Sequence, residues 1–290
     1  MAGLCIGGAL EKSALLAEFS DTARLDVQLL LAHVLQKNTS YLYTWPEKHL
    51  TDDQCKRFSE LLQRRIEGEP IAYLLGYQDF WTLRLAVSKD TLIPRPDTEL
   101  LVEQGLALLS DGDYCVADLG TGTGAVALAL ASERSSWKIV ATDYIAAAAQ
   151  LAERNRQTLQ LDNVKVLTGS WFEPLVGKFD LILSNPPYIE SDDHHLQQGD
   201  VRFEPLTALV AENGGLQDIQ DIIEGSRAYL QDNGWLLLEH GFEQGVAVCK
   251  LFERYGYTQA HTVKDLAGND RVSLARWLSE GGDRRESKAI

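Results

Sequence analysis

One short stretch of this chain would place polar and aromatic groups on a rigid turn. A mostly apolar run at positions 179–184, typical of a buried strand, leads directly into Asn185-Pro186-Pro187-Tyr188. Proline fixes φ and has no N–H, so the strand must end there and the backbone after it is stiff. The Asn185 side-chain oxygen and the Pro186 carbonyl are then two acceptors in a fixed frame, and Tyr188 adds a flat aromatic face. This set suits a planar NH2 group on an sp2 carbon.

The chemistry that such a turn would serve is methyl transfer to a weakly nucleophilic nitrogen. The lone pair of an amide or aniline-like nitrogen is conjugated, and binding both N–H groups to acceptors orients it and draws it out of conjugation. We therefore predict that Asn185, Pro186 and Tyr188 are catalytic and that these three, with Pro187, bind the substrate. The alternative is an ordinary turn, because Asn-Pro and Pro-Pro are common turn formers.

A second candidate site follows an earlier predicted strand at 114–119 and precedes a predicted helix at 125–132. The loop between them consists of Gly120, Thr121, Gly122, Thr123 and Gly124. Glycine lets backbone approach a ligand closely, and a helix N-terminus favours a negative group. The glycine spacing fits a dinucleotide, and it fits equally well S-adenosylmethionine, whose carboxylate can take the place of a phosphate.

Asp143 is compatible with either cofactor and does not distinguish between them. It ends the next predicted strand, nineteen residues after Gly124, and a carboxylate there can accept both ribose hydroxyls. Hydride transfer would need a proton donor near a carbonyl, usually His, Lys or Tyr with a partner. Asn185 beside an adenosine pocket instead favours S-adenosylmethionine, so we count Asn185 with the cofactor-binding residues as well.

The elements that must hold these groups alternate between strand and helix. Seven strands are predicted at 114–119, 137–142, 164–168, 179–184, 234–239, 257–263 and 271–277, with helices at 98–109, 125–132, 146–159, 216–230 and 242–254. This alternation predicts an α/β fold with a Rossmann-like, seven-stranded, mostly parallel sheet. The connection 189–215 is long and reads as a segment that covers the substrate.

The segment before the sheet has a different pattern. Apolar residues at helical spacing predict a small helical N-terminal domain at 1–72, and an alternating stretch predicts a β-hairpin linker at 73–95. The methyl-transfer domain then spans 96–280, and a polar tail spans 281–290. No constellation of catalytic side chains falls within the helical domain, so we expect it to serve recognition or support.

Composition narrows the class of partner and the compartment. The 290 residues carry 27 Lys and Arg against 42 Asp and Glu, a net charge of −15. Nucleic-acid binders usually present a basic face, so we expect no direct nucleic-acid partner and a basic protein partner instead. The four cysteines are scattered, which indicates a reducing, cytoplasmic setting and no metal site. No run is long enough to span a membrane, no signal peptide is recognised, and we expect a monomer.

Taken together, the motifs resemble a known family. Asp118–Gly124, Asp143 and Asn185–Tyr188, in this order, resemble class I S-adenosylmethionine-dependent methyltransferases that act on amino groups. The stretches Leu92–Glu99, Phe203-Glu204-Pro205 and Asp265–Val272 narrow the resemblance to the bacterial peptide chain release factor N5-glutamine methyltransferases, the PrmC/HemK family. The resemblance covers nearly the whole chain.

This resemblance implies a substrate and roles for matching positions. The substrate would be the glutamine amide in the Gly-Gly-Gln loop of class I release factors, with S-adenosylhomocysteine as product. Residues 120–124, Asp143 and Trp171 would hold the cofactor, and Asn185 and Pro186 would grip the NH2 group with Tyr188 packed on its plane. The departure is Ser170, which stands where many relatives have an acid that reads adenine. Trp171 could equally be a core aromatic.

Two other functions remain open on the sequence alone. A DNA adenine-N6 or other amino-group methyltransferase shares the Asn-Pro-Pro-Tyr motif, but this chain has neither the length nor the charge for a basic recognition region. A cofactor-binding protein without turnover is the other. Of the remaining candidates, we expect His194-His195 to be solvated, His240 to be packed, Arg95 to contact the cofactor or pair with a carboxylate, and Arg202–Pro205 to position the bound loop.

Overall fold

The computed structural model describes residues 3–279, and these divide into two compact units. The smaller contains the chain up to Gln78 together with Gln197–Phe203, and the larger contains Asp79–Leu196 and the chain from Glu204 onward. The segment 197–203 thus belongs to the helical unit although its neighbours on both sides do not. The predicted tail at 281–290 lies outside the described residues.

The smaller unit is helical. Its helices are α1 (Ile6–Leu10), α2 (Ala23–Leu35), α3 (Thr39–Thr44), α4 (Asp52–Ile66) and α5 (Ile71–Leu75), with a 3-10 helix at Glu11–Leu16. Thr51 forms a capping box with Gln54, which satisfies two backbone N–H groups at the start of α4. Apolar residues from all five helices form one core, which is why short helices can persist there.

Segment 197–203 joins this helical unit through charged contacts. Arg65 donates to buried Asp26 at 2.8 Å and to Asp200 at 3.1 Å. Arg202 donates to the carbonyl of Glu67 at 3.1 Å. Arg65 therefore links the contact between α2 and α4 to segment 197–203, which is distant along the chain.

Two short strands, β1 (Tyr77–Phe80) and β2 (Leu83–Ala86), form a two-stranded sheet. The extended stretch that the sequence predicts from residue 73 begins instead with the helix α5 and with Gly76 at φ +80°. Tyr73 to Leu75 bring Leu74 into the helical core, and this burial outweighs the alternating pattern.

The larger unit contains a seven-stranded sheet with the order β5-β4-β3-β6-β7-β9-β8. Its strands are β3 (Cys115–Leu119), β4 (Lys138–Asp143), β5 (Val164–Thr168), β6 (Phe179–Ser184), β7 (Leu230–Glu239), β8 (Thr258–Lys264) and β9 (Asp270–Arg276). The first five are parallel, and β9 pairs antiparallel with both β7 and β8. The expected mostly parallel, Rossmann-like sheet is confirmed.

The helices of this unit are α6 (Glu99–Leu108), α7 (Ala125–Glu133), α8 (Ala146–Leu159), α9 (Glu212–Gly215), α10 (Gln217–Ser226) and α11 (Gly245–Arg254). A 3-10 turn at Pro96–Thr98 leads into α6. Helix α10 ends before the predicted 230, because Phe179 donates to the carbonyl of Tyr229 at 2.8 Å and the chain then pairs with β6. The two faces of the sheet carry separate apolar cores, so both faces are covered.

The strand order reverses between β3 and β6, which lie side by side in parallel. Strands β4 and β5 continue to one side of this pair and β7 to the other. In open α/β sheets, ligands bind outside the carboxyl ends of the strands at such a point. The glycine loop follows β3 and the Asn-Pro-Pro-Tyr turn follows β6, so the topology brings the two predicted sites together.

Candidate active site

A cavity of about 430 Å³ opens in the larger unit at this edge of the sheet. Its volume lies within the range of pockets for small ligands. Residues from the glycine loop, the end of β4, the Asn-Pro-Pro turn, the stretch before α6 and the long connection all line it. Those from the predicted site are Gly120, Thr121, Gly122, Thr123, Asp143, Trp171, Asn185 and Pro187.

The charge of the lining bears on which cofactor fits. Four aspartates line the cavity, namely Asp90, Asp118, Asp143 and Asp218, and no Lys, Arg or His of the described chain joins them. A pyrophosphate group would find no cationic side chain in this lining to pair with. A ligand with a sulfonium and an α-ammonium group meets opposite charge. The lining therefore favours S-adenosylmethionine over a dinucleotide, a choice that the glycine spacing left open.

The glycine loop is held by a carboxylate at the end of β3. Asp118 is 2% exposed and accepts hydrogen bonds from the Thr121 hydroxyl at 2.6 Å and from the backbone N–H of Ala127 at 3.2 Å. Burial raises the pKa of Asp118 to about 6, and its two donors oppose that shift. The loop between Asp118 and α7 is thus closed on itself by short-range bonds.

Glycine is required at two points of this loop. Gly120 has φ +70°, and a Cβ there would lie 3.1 Å from the ring of Trp171. Gly124 has φ +86°, and a Cβ there would lie 2.9 Å from a methyl group of Leu128. Gly124 is not among the lining residues, so its place is the turn into α7.

Trp171 lies against the loop in an unusual conformation. Its φ is +40°, which is rare for a large side chain, and its carbonyl accepts from the Thr142 hydroxyl at 3.1 Å. The ring both lines the cavity and packs against the second apolar core. Trp171 thus both packs against a core and lines the cavity, and its contact with a cofactor stays a prediction. Ser170 beside it also lines the cavity.

Asp143 stands where β4 ends. One carboxylate oxygen accepts from the N–H of Gly122 and the other from the N–H of Ile145, both at 2.9 Å. Burial raises its pKa, and these two backbone donors oppose the shift. A carboxylate has about four acceptor positions, so two remain for hydroxyl groups of a ligand. The fit to a ribose is thus retained after the loop is satisfied.

The Asn-Pro corner is fixed to its neighbours by side chains. The Ser184 hydroxyl donates to the carbonyl of Leu119 at 2.7 Å, which ties the ends of β6 and β3 together. The Asn185 side-chain NH2 donates to the Thr98 hydroxyl at 3.2 Å. Thr98 is buried and also lines the cavity. Its contact with Asn185 was not predicted, because nothing local in the sequence marks a pair 87 residues apart.

Behind the corner lies a buried polar cluster. The Tyr188 hydroxyl donates to Glu239 at 3.3 Å, and Glu239 is 2% exposed. Burial raises the pKa of Glu239 to about 7, while Thr98, Arg271 and Tyr188 oppose that shift. Burial and the nearby Glu239 charge raise the pKa of Tyr188. Tyr188 and Pro186 are not lining residues, so their contact with a substrate stays a prediction.

Another buried carboxylate, Glu204, holds the stretch before α6. Glu204 accepts from the N–H of Ile93 at 2.8 Å and pairs with Arg95 at 2.5 Å. Arg95 thus forms an ion pair, one of the alternatives expected for it. Just after Glu204, the 3-10 turn Leu206–Ala208 places Thr207 and Ala208 in the cavity wall. The long connection therefore contributes to the site.

The remaining histidine candidates fall away from this cavity. His240 is buried, with one ring nitrogen 2.8 Å from the Gly241 carbonyl and the other 2.8 Å from the Ser273 hydroxyl. Burial lowers its pKa, and the side chain is packed, as expected. His194 and His195 are exposed beside Asp193, and the ligand atoms of the three lie within 4.8 Å of one another.

Within residues 3–279, no helix combines the length and apolarity that a membrane crossing requires.

The chain matches two domain families and is similar to known proteins over most of its length. A model of the PrmC N-terminal domain matches residues 11–76, and a model of the methyltransferase small domain matches residues 96–217. The chain is 51% identical over 279 residues to the release factor glutamine methyltransferase of Aliivibrio fischeri, covering 95% of this chain and 98% of that protein. It is 52% identical over 259 residues to that of Escherichia coli K12, covering 89% and 94%.

A solved structure supports the fold independently. A methyltransferase from Pyrococcus furiosus superposes with a TM-score of 0.53 at 18% sequence identity, covering 75% of this chain and 98% of that one. At that identity the likeness concerns the arrangement of strands and helices. The fold over three quarters of this chain is therefore shared with that structure.

Proposed function

The chain belongs to the release factor glutamine methyltransferase family, and we propose that it methylates the side-chain nitrogen (N5) of the glutamine in the Gly-Gly-Gln loop of class I release factors. It is an S-adenosylmethionine-dependent protein-glutamine methyltransferase. One observation carries the proposal: the Asn185 amide, fixed on a proline corner, lines the same acidic cavity as Asp143 and the glycine loop.

S-adenosylmethionine supplies an electrophilic methyl group when it is bound. Asp143 would accept the ribose hydroxyls, the backbone of residues 120–123 would approach the ligand closely, and Trp171 would cover it. The acidic lining supports this assignment because it suits a positively charged ligand. No metal is needed for the step, since the donor already carries its own activated leaving group.

The residues of the corner would act by orientation. Asn185 and the Pro186 carbonyl each accept one N–H of the glutamine amide, and Tyr188 packs on its plane, with Pro187 keeping the turn stiff. A bond forms between this nitrogen and the methyl carbon as the S–C bond breaks, and its electrons remain on sulfur. The nitrogen then loses a proton to solvent, because an N-methylated amide cation is a strong acid. Such positioning can supply up to about 7–11 kcal/mol.

For the helical unit we propose recognition of the release factor. Residues 1–72 would then recognise the release factor, residues 73–95 would form the linker, and residues 96–280 would carry out catalysis. The unit exposes large apolar side chains, which suit a protein partner. They are Leu15, Phe19, Leu25, Tyr43 and Trp45. The net charge of −15 is suited to a basic partner surface.

A labelled-methyl assay tests the proposal. The full chain is incubated with labelled S-adenosylmethionine and, separately, with a purified class I release factor, the same factor with its loop glutamine replaced by alanine, and duplex DNA. We expect one methyl group per intact release factor, located on that glutamine by mass spectrometry, and none on the other two. Methyl transfer to DNA with none to the release factor would overturn the assignment.

A further inference from the structure

The side chain of Gln244, between the end of β7 and the start of α11, is bound entirely to backbone groups. Its oxygen accepts from the N–H of Gly241 at 2.8 Å. Its NH2 group donates to the carbonyl of Tyr188 and to the carbonyl of Gly214, both at 3.1 Å. One side chain therefore joins three segments, namely the turn after β6, the end of the long connection and the turn after β7.

These partners determine which way the Gln244 amide points. A backbone N–H can only donate and a backbone carbonyl can only accept. The reverse orientation would place the amide oxygen against the carbonyls of Tyr188 and Gly214, and the NH2 group against the N–H of Gly241. Gln244 is therefore held as a donor to Tyr188, and no titratable group takes part in that choice.

Gln244 is itself fixed to the sheet. Its backbone N–H donates to the Gly241 carbonyl at 2.9 Å, which closes the turn after β7. The same carbonyl lies 2.8 Å from one ring nitrogen of His240, and the other ring nitrogen lies 2.8 Å from the Ser273 hydroxyl on β9. The N–H of His240 donates to the Arg271 carbonyl at 3.0 Å. The donor that reaches Tyr188 therefore starts from a firm base.

The long connection packs closely on the same carbonyl of Tyr188. Asn213, Gly214 and Gly215 have φ of 57°, 70° and 73°, so three consecutive residues lie in the left-handed region. A Cβ at Gly215 would overlap the Tyr188 carbonyl oxygen. Only glycine permits such an approach of one backbone to another. The turn at 213–215 is thus shaped to bring its Gly214 carbonyl to the same NH2 group as the Tyr188 carbonyl.

Holding the Tyr188 backbone constrains the corner before it. The Tyr188 hydroxyl donates to Glu239 at 3.3 Å and its carbonyl accepts from Gln244, so both ends of the residue are held. Pro186 and Pro187 have fixed φ, which leaves few dihedral angles free between Asn185 and Tyr188. A shift of the Tyr188 peptide would therefore be passed back to the Asn185 amide and the Pro186 carbonyl.

Resting on the proposed function, we propose that Gln244 is a positioning residue that fixes the Asn-Pro-Pro-Tyr corner against the cofactor pocket by donating to the Tyr188 carbonyl. Gln244 does not line the cavity, so it acts on the substrate only through the corner. Methyl transfer needs the amide nitrogen in line with the methyl carbon, and a misplacement of about 1 Å can cost about 10²-fold in rate. Loss of the donor should therefore lower kcat and leave the cofactor pocket intact.

Gln244→Glu tests this at nearly constant size. The carboxylate keeps an acceptor for the N–H of Gly241 but turns an acceptor toward the two carbonyls. With a class I release factor, kcat from labelled-methyl transfer should fall at least tenfold. By calorimetry, the dissociation constant for S-adenosylmethionine should stay within threefold, and so should that for the release factor with S-adenosylhomocysteine present.

Asn163→Asp is the matched control for this change. The Asn163 NH2 group also donates to backbone carbonyls, those of Arg134 at 3.1 Å and Trp137 at 3.3 Å, but it stands just before β5 at the amino edge of the sheet. The substitution removes the same kind of donor far from the corner. We expect kcat to stay within twofold of that of the native protein.

Gly215→Ala displaces the same carbonyl without touching Gln244. The added methyl group would overlap the Tyr188 oxygen, so kcat should again fall at least tenfold. Gly177→Ala is its control, because Gly177 has φ +91° and a Cβ there would meet no heavy atom within 4 Å. Both variants introduce backbone strain, but only the first disturbs the corner, and Gly177→Ala should keep kcat within twofold.

A double-mutant cycle separates positioning from general damage. In the Asn185→Ala background the corner has lost its acceptor for the substrate NH2 group, so its exact placement matters less. Adding Gln244→Glu there should lower kcat by no more than a further threefold. Damage to the fold at large would instead multiply the two effects in full.

The outcomes distinguish this inference from the function on which it rests. If the native protein does not methylate the release factor, the proposed function is wrong. If it does, and kcat falls less than tenfold in both Gln244→Glu and Gly215→Ala, the positioning role is wrong. Equal losses in Gln244→Glu and Asn163→Asp, or full multiplication in the cycle, would overturn it too. Should Gln244→Glu lose cofactor binding through misfolding, Gly215→Ala against Gly177→Ala decides alone.

Discussion

Asp118 and Glu239 are both 2% exposed carboxyl groups at the carboxyl edge of the sheet, yet they differ in the hydrogen-bond donors that reach them. Asp118 accepts from Thr121 at 2.6 Å and from the N–H of Ala127 at 3.2 Å, both within nine residues of it. Glu239 is reached by Tyr188 at 3.3 Å across 51 residues, and one of its oxygens has no partner in the described chain.

The difference separates two ways of building a site. We call the part of the cavity around Asp118 and the glycine loop the cofactor side. It is held by local hydrogen bonds and tightly turned backbone, so it requires only β3 and α7. The part around Asn185, the amide side, requires the ends of β6 and β7 and the turn before α6 to be in place together. Under the proposed function, we expect the first to bind the cofactor without the second, and the second to decide which nitrogen is methylated. The two sides should therefore respond separately to substitution.

The largest expected effect follows from removing the amide itself. Asn185→Ala removes one acceptor for the substrate NH2 group, so kcat for release factor methylation should fall about 10²- to 10³-fold. The dissociation constant for S-adenosylmethionine should change by no more than about threefold, because Asp143 and the glycine loop are untouched. Both are measured on the full chain, by labelled-methyl transfer and by calorimetry. Loss of cofactor binding in this variant would remove the distinction between the two sides.

The next effect sharpens the contrast between the two carboxyl groups through pH. A carboxyl whose pKa is raised by folding stabilises the fold below its unfolded pKa, and this contribution is lost as pH rises through the folded pKa. For Glu239 the window runs from 4.5 to about 7, and for Asp118 from 3.8 to about 6. Glu239→Gln should reduce the fall in unfolding free energy between pH 5 and 8 by up to about 3 kcal/mol.

Urea titrations at pH 5, 6, 7 and 8 measure this difference. Asp118→Asn should reduce the decline only below about pH 6 to 7, whereas Glu239→Gln acts up to pH 7 and above. Glu243→Gln, at an exposed carboxyl near the end of β7, is the matched control and should leave the profile as it is. A Glu239→Gln profile that parallels the native one would show that Glu239 ionises as readily as an exposed acid.

A smaller effect is expected on the cofactor side. Asp143→Asn keeps one acceptor oxygen and loses the charge, and the N–H groups of Gly122 and Ile145 then compete for that oxygen. Charged hydrogen bonds contribute about 1.5–3 kcal/mol, so the dissociation constant for S-adenosylmethionine should rise tenfold to a hundredfold. At saturating cofactor, kcat should stay within about threefold. A fall in kcat as large as that of Asn185→Ala would contradict the separation.

The smallest effect concerns the aromatic wall. Trp171→Phe keeps a ring against Gly120 and loses part of the cover over the cavity. We expect a twofold to fivefold rise in KM for the cofactor with kcat unchanged. Val176→Ser, at a side chain that is 92% exposed, serves as the control. An equal change in both variants would assign Trp171 to the core alone.

Much of the cofactor side was predictable because its interactions are short-range. The pattern strand, glycine loop, helix and terminal aspartate is written in consecutive residues, and β5 and β6 begin and end at the predicted positions. Helix α11 starts later than predicted, at Gly245, because Gln244 folds back to accept from the N–H of Gly241 at 2.8 Å. Such ends depend on side-chain bonds that periodicity does not contain.

By itself, the sequence determined the alternation of strands and helices, the stiff Asn-Pro corner, the aspartate at the end of β4 and the family resemblance. Only the tertiary structure decided that Thr98 contacts Asn185 and Glu239 contacts Tyr188, that four aspartates line one cavity, and that 197–203 belongs to the helical unit. The physical reason is distance along the chain. Bonds between near neighbours follow from local residue types, whereas contacts across 50 or more residues exist only after the strands have taken their order.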